Sequence, residues 1–581
     1  MTGRRIIISD FLRISFLTAA VFYMTVFIHA ATNPTISVIN IYAVVNDSKI
    51  YIQTVNEKQY LFLPSGTDDT SFALKSDKSN QKVLFVVDGR QTEELLFQDI
   101  KLTERGYSVL VKVLDSKDII VDSFSLRVMK GSGIQTVYFN SVDKESRGRD
   151  WVDKARDNHT AGTVIVTDSR GSIINKNSKN RMVTDFHGRG NTSWFYDPKK
   201  SYQIKFDKKI SLINGAAEAK KWLLLAQYKD PLRMNDKIVK DIGNVVCGRY
   251  SPREIWVNFY YDGEYRGVYL LSEKIEVTPG RVDIADTEEY YERQDPAYGK
   301  TMDLKKDINR YGNSYQYQEG LTGPGDSGSY LIETNDTTWD KNNGFKFRIG
   351  TMERAVNIRS PELGSKEAVK FISEYFQEFC NAVANCDYTG KNPETGLYYY
   401  DYCDLDSLVD SYLIQSISSN KDSYWKSQFF YKDAGKKMYA GPLWDMDLTF
   451  GTGWSIQIEP DKDFLTEMQI TKDLIQIPDF RNNVKRKYFE SYSDILGSLA
   501  GTGILVSSFA ENYNLIKDDL AMDTILWPVR YKCGNGKMEW NDSDTLEDIV
   551  NYRIQWIKDH KEFLDTYFGS MDVKESGRRM E

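Results

Sequence analysis

A returning β-hairpin in the C-terminal half of the chain constrains its fold more than any other feature. Aromatic-rich runs at Phe429-Phe-Tyr-Lys432 and Lys437-Met-Tyr-Ala440 flank Asp433-Ala-Gly435, the pattern of two short strands joined by a turn. A hairpin brings the chain back to its starting point, so the residues before the first strand become neighbours of those after the second. Before it stands Asp422-Ser-Tyr-Trp-Lys-Ser-Gln428, and after it Trp444-Asp445-Met446-Asp447. Asp422 and Asp445, 23 positions apart, therefore converge at one mouth. Two carboxylates so placed can divide the work between them. One orients a hydroxyl while the other holds a metal on a nucleotide phosphate, as phosphoryl transfer requires. Asp447 lies two residues beyond Asp445 on an extended run and points to the same side.

At 581 residues the chain exceeds what one core usually supports, so more than one domain is expected. A net charge of -8 excludes a general nucleic-acid binder. Four histidines leave little scope for a multi-histidine zinc site. The aromatic share of 13% suits half-buried sheets and, alternatively, surfaces for polar ligands. Cys247, Cys380, Cys386, Cys403 and Cys533 are scattered and odd in number, which fits small buried thiols better than a metal knuckle; one disulfide or a functional thiol are the alternatives. Arg4, Arg5 and Arg13 precede Ile14–Ala31, 18 residues without a formal charge that end in His29-Ala-Ala31. Residues 1–31 thus read as a signal peptide or a membrane anchor, and the rest is expected to work outside the cytoplasm.

Residues 32–131 alternate strand-like runs with polar turns and carry no convincing helix, which predicts a β-sandwich module. Lys130-Gly-Ser-Gly133 makes a joint to a mixed α/β region from 135 to 568. Strand-like runs there begin at Thr136, Gly162, Ser201, Trp222, Ile255 and Arg266, with Asp262-Gly263 as a hairpin turn. Apolar spacing predicts helices between Pro231 and Gly248, from Ser365 to Val383, and after Asp404 as N-cap. Residues 285–328, rich in Glu, Tyr, Asp and Gly, read as a polar insertion or lid; 480–568 read as helical and 571–581 as a charged tail.

Several blocks carry a family resemblance. His187-Gly-Arg-Gly-Asn-Thr-Ser-Trp194 followed by Lys199-Lys-Ser-Tyr-Gln-Ile-Lys-Phe206 resembles the R-G-R-G-N-S-S-W…K-K-P-Y-R-I-K-F signature of the spore coat protein H (CotH) kinase family. Lys221–Ala226, Asp230–Arg233, Glu264–Ile275, Arg281–Ile284, Gly328–Glu333, Ser360–Glu362 and Pro442–Asp447 match its later blocks in order. The resemblance spans roughly 135 to 565 and excludes the β module. It implies an α+β fold with an atypical two-lobed protein-kinase-like catalytic domain, using ATP and Mg²⁺ or Mn²⁺ to phosphorylate Ser or Thr on envelope or spore-coat-type proteins.

By that resemblance Asp422 is the catalytic carboxylate, and Asp445, with Asp447, binds metal. Lys205 is the candidate phosphate-contacting lysine, with Lys200 and Lys221 as rivals. Arg189 and Asn191 would cover the phosphates, and Glu273 lies where a hinge to adenine falls. The chain departs from the kinase pattern in two places. Ser427 stands where a second metal-binding Asn is usual, with Gln428 beside it. The helix before Gly248 offers Asp236 and Asp241 but no Glu to pair a lysine. Two other readings remain: a catalytically weak surface module gripping glycan or protein through its β domain, and a metal-dependent glycosyltransferase using Asp445-x-Asp447.

Overall fold

The computed structural model describes residues 36–571 apart from 68–69, 104, 301, 337, 339–341, 423–425, 453–457, 468 and 529–544. The leader, Cys533 and the tail beyond Met571 fall outside the described residues. Among the described residues no helix is long and apolar enough to cross a membrane.

The N-terminal module is β-rich as expected, but eight of its strands share one sheet instead of dividing between the two facing sheets of a sandwich. The order runs Lys75–Ser76, Ile36–Val45, Ser48–Val55, Lys58–Leu63, Ile120–Lys130, Tyr107–Leu114, Lys82–Val87, Arg90–Thr92, with a separate two-stranded ribbon of Ser71–Ala73 and Glu94–Leu96. The reason is one parallel pairing: Ile120–Lys130 returns beside Lys58–Leu63 and joins the early and late strands into a single ladder. The core of this module does not close on itself. Ile50, Leu61, Phe62 and Val128 pack in one cluster with Tyr260, Tyr265, Met522, Leu526 and Trp527 from the rest of the chain. Polar contacts cross the same junction: Tyr51 N–H donates to Gly263 O at 2.9 Å, Tyr265 N–H to Gln53 Oε1 at 2.9 Å, and Tyr260 OH to Phe62 O at 2.9 Å.

Residues 135–273 form a closed seven-stranded barrel, ordered Gln135–Ser141, His159–Thr167, Met182–Arg189, Ser201–Ile210, Ala219–Leu225, Glu264–Glu273, Glu254–Tyr261, sealed by a parallel pairing of the last with the first. Its interior is aromatic: Phe139, Phe186, Trp194, Tyr202, Trp222, Phe259, Tyr261 and Tyr269 are buried together. Much of the aromatic content thus goes into packing. Met182–Arg189 is not legible as a strand from its sequence, because Gly188 and Gly190 at its end read as a turn. Gly188 serves the packing instead. A Cβ on Gly188 would stand 2.2 Å from the Trp194 ring, and Gly190 takes φ +99° to turn the chain into the Thr192–Tyr196 helix.

A second seven-stranded sheet follows, ordered Leu304–Ile308, Ser314–Gln318, Gly344–Ile349, Met352–Ser360, Tyr330–Asn335, Phe429–Lys432, Met438–Ala440. Its first two strands come from the segment expected to be a polar insertion. That segment also supplies the Thr287–Gln294 helix, and its Tyr291 and Tyr315 enter the main core. The segment belongs to the fold: its strands lie at the edge of the sheet with polar outer faces, which hides them in the sequence. The expected helices appear as Asn235–Val246, Lys366–Val383 with Ser365 as N-cap, and Leu405–Ser418 with Asp404 capping Ser407 N–H at 2.9 Å. The C-terminal region is helical, dominated by Phe509–Leu526 and Leu546–Ser570. The architecture is mixed α+β with several sheets.

Helix Phe509–Leu526 reaches back to the barrel through a buried charge cluster. Asp523 meets Lys199 Nζ at 2.6 Å and Arg233 Nη2 at 2.9 Å, all three side chains fully buried. Val268 N–H also donates to Asp523 Oδ1 at 2.9 Å. The four described cysteines are free thiols; Cys380 and Cys403 are buried, which pushes their thiols up.

Candidate active site

The hairpin forms where the sequence places it, with Phe430 opposite Ala440, Tyr431 opposite Tyr439 and Lys432 opposite Met438. Its first strand also pairs with Tyr330–Asn335, which fixes the hairpin in the second sheet. The chain enters and leaves it at one end. There Ser427 Oγ donates to Asp445 Oδ2 at 3.0 Å, so the residues on either side of the hairpin touch. Ser427 at φ +60° and Asp445 at φ +61° both occupy the left-handed region that L-residues avoid. Such strain persists where the surroundings over-determine a conformation, commonly at functional sites. Asp422 joins the group: burial raises its pKa, Lys426 opposes that rise, and Asp445 adds to it. Lys426 Nζ lies 2.9 Å from Asp422 Oδ2. Burial, then Asp445, Asp236 and Asp422, push Asp447 well above the usual carboxylate range. Asp422, Asp445, Asp447 and Asp236 thus form one acidic group.

Asp236 is the residue that motif order undervalues. It sits in the first turn of Asn235–Val246, buried, and its Oδ1 accepts the Met446 N–H at 2.9 Å. Its Oδ2 accepts from Lys240 Nζ at 3.0 Å, and Lys240 meets Glu254 at 2.5 Å. The neighbouring Asn235 donates to Asp447 O, Thr449 O and Thr452 Oγ1 at 3.1, 3.0 and 3.1 Å. The start of one helix therefore clamps the backbone that carries Asp445 and Asp447. The signal lies in Asp230–Arg233 just upstream: Asp230 caps this helix start by accepting from Asn235 N–H at 2.8 Å.

Cations approach from the barrel. Arg189 is recessed beside the group: burial lowers its pKa, and Asp445, Glu333 and Asp236 oppose that. Its guanidinium lies 5.0 Å from the Trp444 ring centroid, and Lys240 Nζ lies 4.7 Å from the same centroid. Lys274 is pulled down to about 8 by burial and then by Lys221, with Arg189 adding to the effect. The charges of Lys221 and Arg189 are thus both felt at Lys274.

The remaining expected residues are placed elsewhere. Lys205 is exposed on the outer face of the barrel, cross-strand from Lys221 and Asp185, because alternation sends Tyr202, Ile204 and Phe206 inward. Lys200 Nζ is engaged by the carbonyls of Trp194 and Asp197 at 2.5 and 2.7 Å. The Asn191 side chain accepts from Arg156 at 2.7 Å. Glu273 is buried, accepts the Arg253 N–H at 2.9 Å and pairs with Arg281 at 3.4 Å, so its carboxylate belongs to the barrel rather than to a hinge. Gln428 is buried and turned toward Phe429 O at 3.0 Å, which leaves Ser427 as the polar side chain on Asp445.

Burial and neighbouring carboxylates raise Asp422 and Asp447, and oxygen donors of this kind are stabilised by a hard cation. Among the described residues no three of these carboxylates bring ligand atoms within 4.8 Å of one another, so a bound ion would have to draw them together. Arg189 and Lys274, recessed on the barrel side, supply positive charge against which phosphate oxygens can settle. The family model described as CotH kinase protein matches residues 186–564. The chain belongs to the CotH kinase family. That membership carries a kinase-like enzymatic function over most of the barrel, the second sheet and the C-terminal helices, while the β module lies outside the match. A search of curated proteins returns no match. Among solved structures, a proposed glycoside hydrolase from Bacteroides thetaiotaomicron VPI-5482 is 10% identical and covers 59% of this chain and 88% of its own, with a TM-score of 0.11, a superposition too slight to bear on the fold.

Proposed function

We propose that this CotH-family chain is an exported, Mg²⁺- or Mn²⁺-dependent kinase that moves the γ-phosphoryl group of ATP onto Ser or Thr hydroxyls of envelope or spore-coat-type proteins. The observation that carries the reading is the convergence of Asp422 and Asp445 at the mouth of the hairpin, with the charge of Arg189 acting on Asp445. Asp445 and Asp447 would hold the metal, with Ser427 steering Asp445 through its hydroxyl. When bound, the metal neutralises charge on the β- and γ-phosphates. Asp422 orients the acceptor hydroxyl and takes its proton. Arg189 and Lys274 would bind the phosphates from the barrel side, a role that motif order gives first to Lys205. Catalysis is then mainly positioning and electrostatic stabilisation. The charge-free run at Ile14–Ala31 favours export, and the N-terminal module would grip a surface glycan or protein.

The test is labelled ATP with Mn²⁺ and candidate coat proteins, with Asp422→Asn beside the wild-type chain. Asp422→Asn should lower kcat by at least about a hundredfold while nucleotide affinity stays within about threefold. Equal rates for the two chains, or a thermal shift given by UDP-sugars and withheld from ATP, overturn the reading.

The acid limb of the pH profile gives a separate check. Burial raises Asp422 and Lys426 pulls it back, so loss of Lys426 leaves the carboxyl protonated to higher pH. Lys426→Met should move the acid limb of kcat upward, and an unmoved limb would remove Asp422 from the titration.

A further inference from the structure

We infer that the outer face of the barrel carries a second metal site, for a divalent transition ion such as Zn²⁺, built from His159, Asp185 and His187. His159 and His187 stand directly opposite each other on neighbouring strands, with ring centroids 4.4 Å apart. Asp185 lies two residues before His187 on the same face and reaches both: its Oδ1 is 2.6 Å from His159 Nδ1, its Oδ2 3.0 Å from His187 Nδ1. One ligand atom from each of the three lies within 4.8 Å of the others, the only such His/Cys/Asp/Glu group among the described residues. Two imidazoles and one carboxylate form a donor set that zinc uses where a position is left open to water. Ligand atoms about 3.3 Å apart surround a tetrahedral ion with bonds of about 2.0 Å. The Nδ1-to-carboxylate spacings therefore need only a small opening for an ion to enter between them, each neutral imidazole then carrying its single proton on Nε2.

The surroundings fit access and selectivity. The His159 side chain is 52% exposed, so the ion reaches the site from bulk water. The Gln203 side-chain amide lies 3.5 Å from His187 Nε2, and its oxygen can accept the proton that Nε2 carries once Nδ1 is ligated. Burial works to raise the Asp185 carboxyl, but hydrogen bonds from His187 and His159 outweigh it and bring it down to about 2, so it is already ionised when the metal arrives. Imidazole nitrogen favours zinc over the hard cations expected at Asp445. The site also has a mechanical consequence. Asp185, His187 and Arg189 share one face of their strand, so an ion clipping 187 to 159 fixes the strand end from which Arg189 projects.

Calorimetric titration of the chelator-stripped full chain with ZnCl₂ tests this, run in wild type and in Asp445→Ala so that zinc at the acidic group is counted separately. About one equivalent should bind in Asp445→Ala, with any excess in wild type belonging to the acidic group, Mg²⁺ should not displace it, and binding should fade with acid as protons compete for the ligands. His159→Ala, an exposed substitution, should weaken zinc at least about tenfold, and Asp185→Asn similarly. Zinc should raise the Tm of Asp445→Ala and leave that of the Asp445→Ala/His159→Ala double variant unmoved. Zinc affinity equal in wild type and His159→Ala, or no saturable binding in the Asp445→Ala chain, overturns the site; neither result touches the kinase reading, which the ATP assay decides alone.

Discussion

Asp445→Ala should abolish phosphate incorporation from ATP, a fall of at least about a thousandfold, with the folded chain retained. The carboxylate is doubly committed: its Oδ2 accepts from Ser427, and its backbone is held at φ +61° beside the Met446 N–H bond to Asp236. Alanine removes the proposed metal ligand while leaving that clamp in place, so the loss is chemical rather than structural. The loss of one charge-stabilising group alone costs about a hundred- to a thousandfold in a preorganised site, and losing the metal adds the charge on two phosphates. Mn²⁺ binding at the acidic group, measured by calorimetry in a His159→Ala background that removes the barrel site, should vanish in parallel. Undiminished Mn²⁺ affinity in Asp445→Ala would move the metal away from the hairpin mouth. Asp236→Asn discriminates further. It keeps an oxygen for Met446 N–H but drops the charge that meets Lys240, so a partial loss is expected, with metal affinity falling less than in Asp445→Ala.

The largest stability effect should come from Asp523→Ala. Lys199 and Arg233 would then be left fully buried with their shared counter-charge gone, and breaking a buried pair in this way costs about 3–5 kcal/mol. Val268 N–H would lose its acceptor as well. The midpoint of urea unfolding, followed by fluorescence of the barrel tryptophans, should drop accordingly. A midpoint within error of wild type would mean that water or rearrangement compensates both cations. Asp523→Asn should cost less, since it keeps an oxygen for the Val268 amide.

The parts of this molecule that are legible in its sequence are those governed by short-range chemistry. The hairpin at 429–440 announces itself through an Asp-Ala-Gly turn between aromatic runs, and three helices through spacing and caps. Long-range closure is not legible. Nothing local says that Gln135–Ser141 pairs in parallel with Glu254–Tyr261, yet that pairing makes a barrel of what read as scattered strands. Strand Met182–Arg189 is hidden by the glycine at 188, which makes room for the Trp194 ring, and the 304–318 strands by the polar outer faces of edge positions. For the candidate site, Asp422, Asp445 and Arg189 follow from motif order. Lys205 and Glu273 do not hold their expected places, because strand alternation and a buried arginine, neither visible in a motif, decide where those side chains point. Asp236 reads in the sequence only as a carboxylate one methylene shorter than the expected Glu, although its position in the helix's first turn is what lets it reach the Met446 amide.

The module that precedes the barrel shares Tyr260, Tyr265 and Trp527 with it in one continuous core. A catalytic unit hung on a flexible leash samples every orientation, and its reach is set by the leash. Here whatever grips the outer strands of the module also aims the hairpin mouth. A partner bound there would be offered to the acidic residues from one fixed direction, and choice of target would become a matter of angle as much as of affinity.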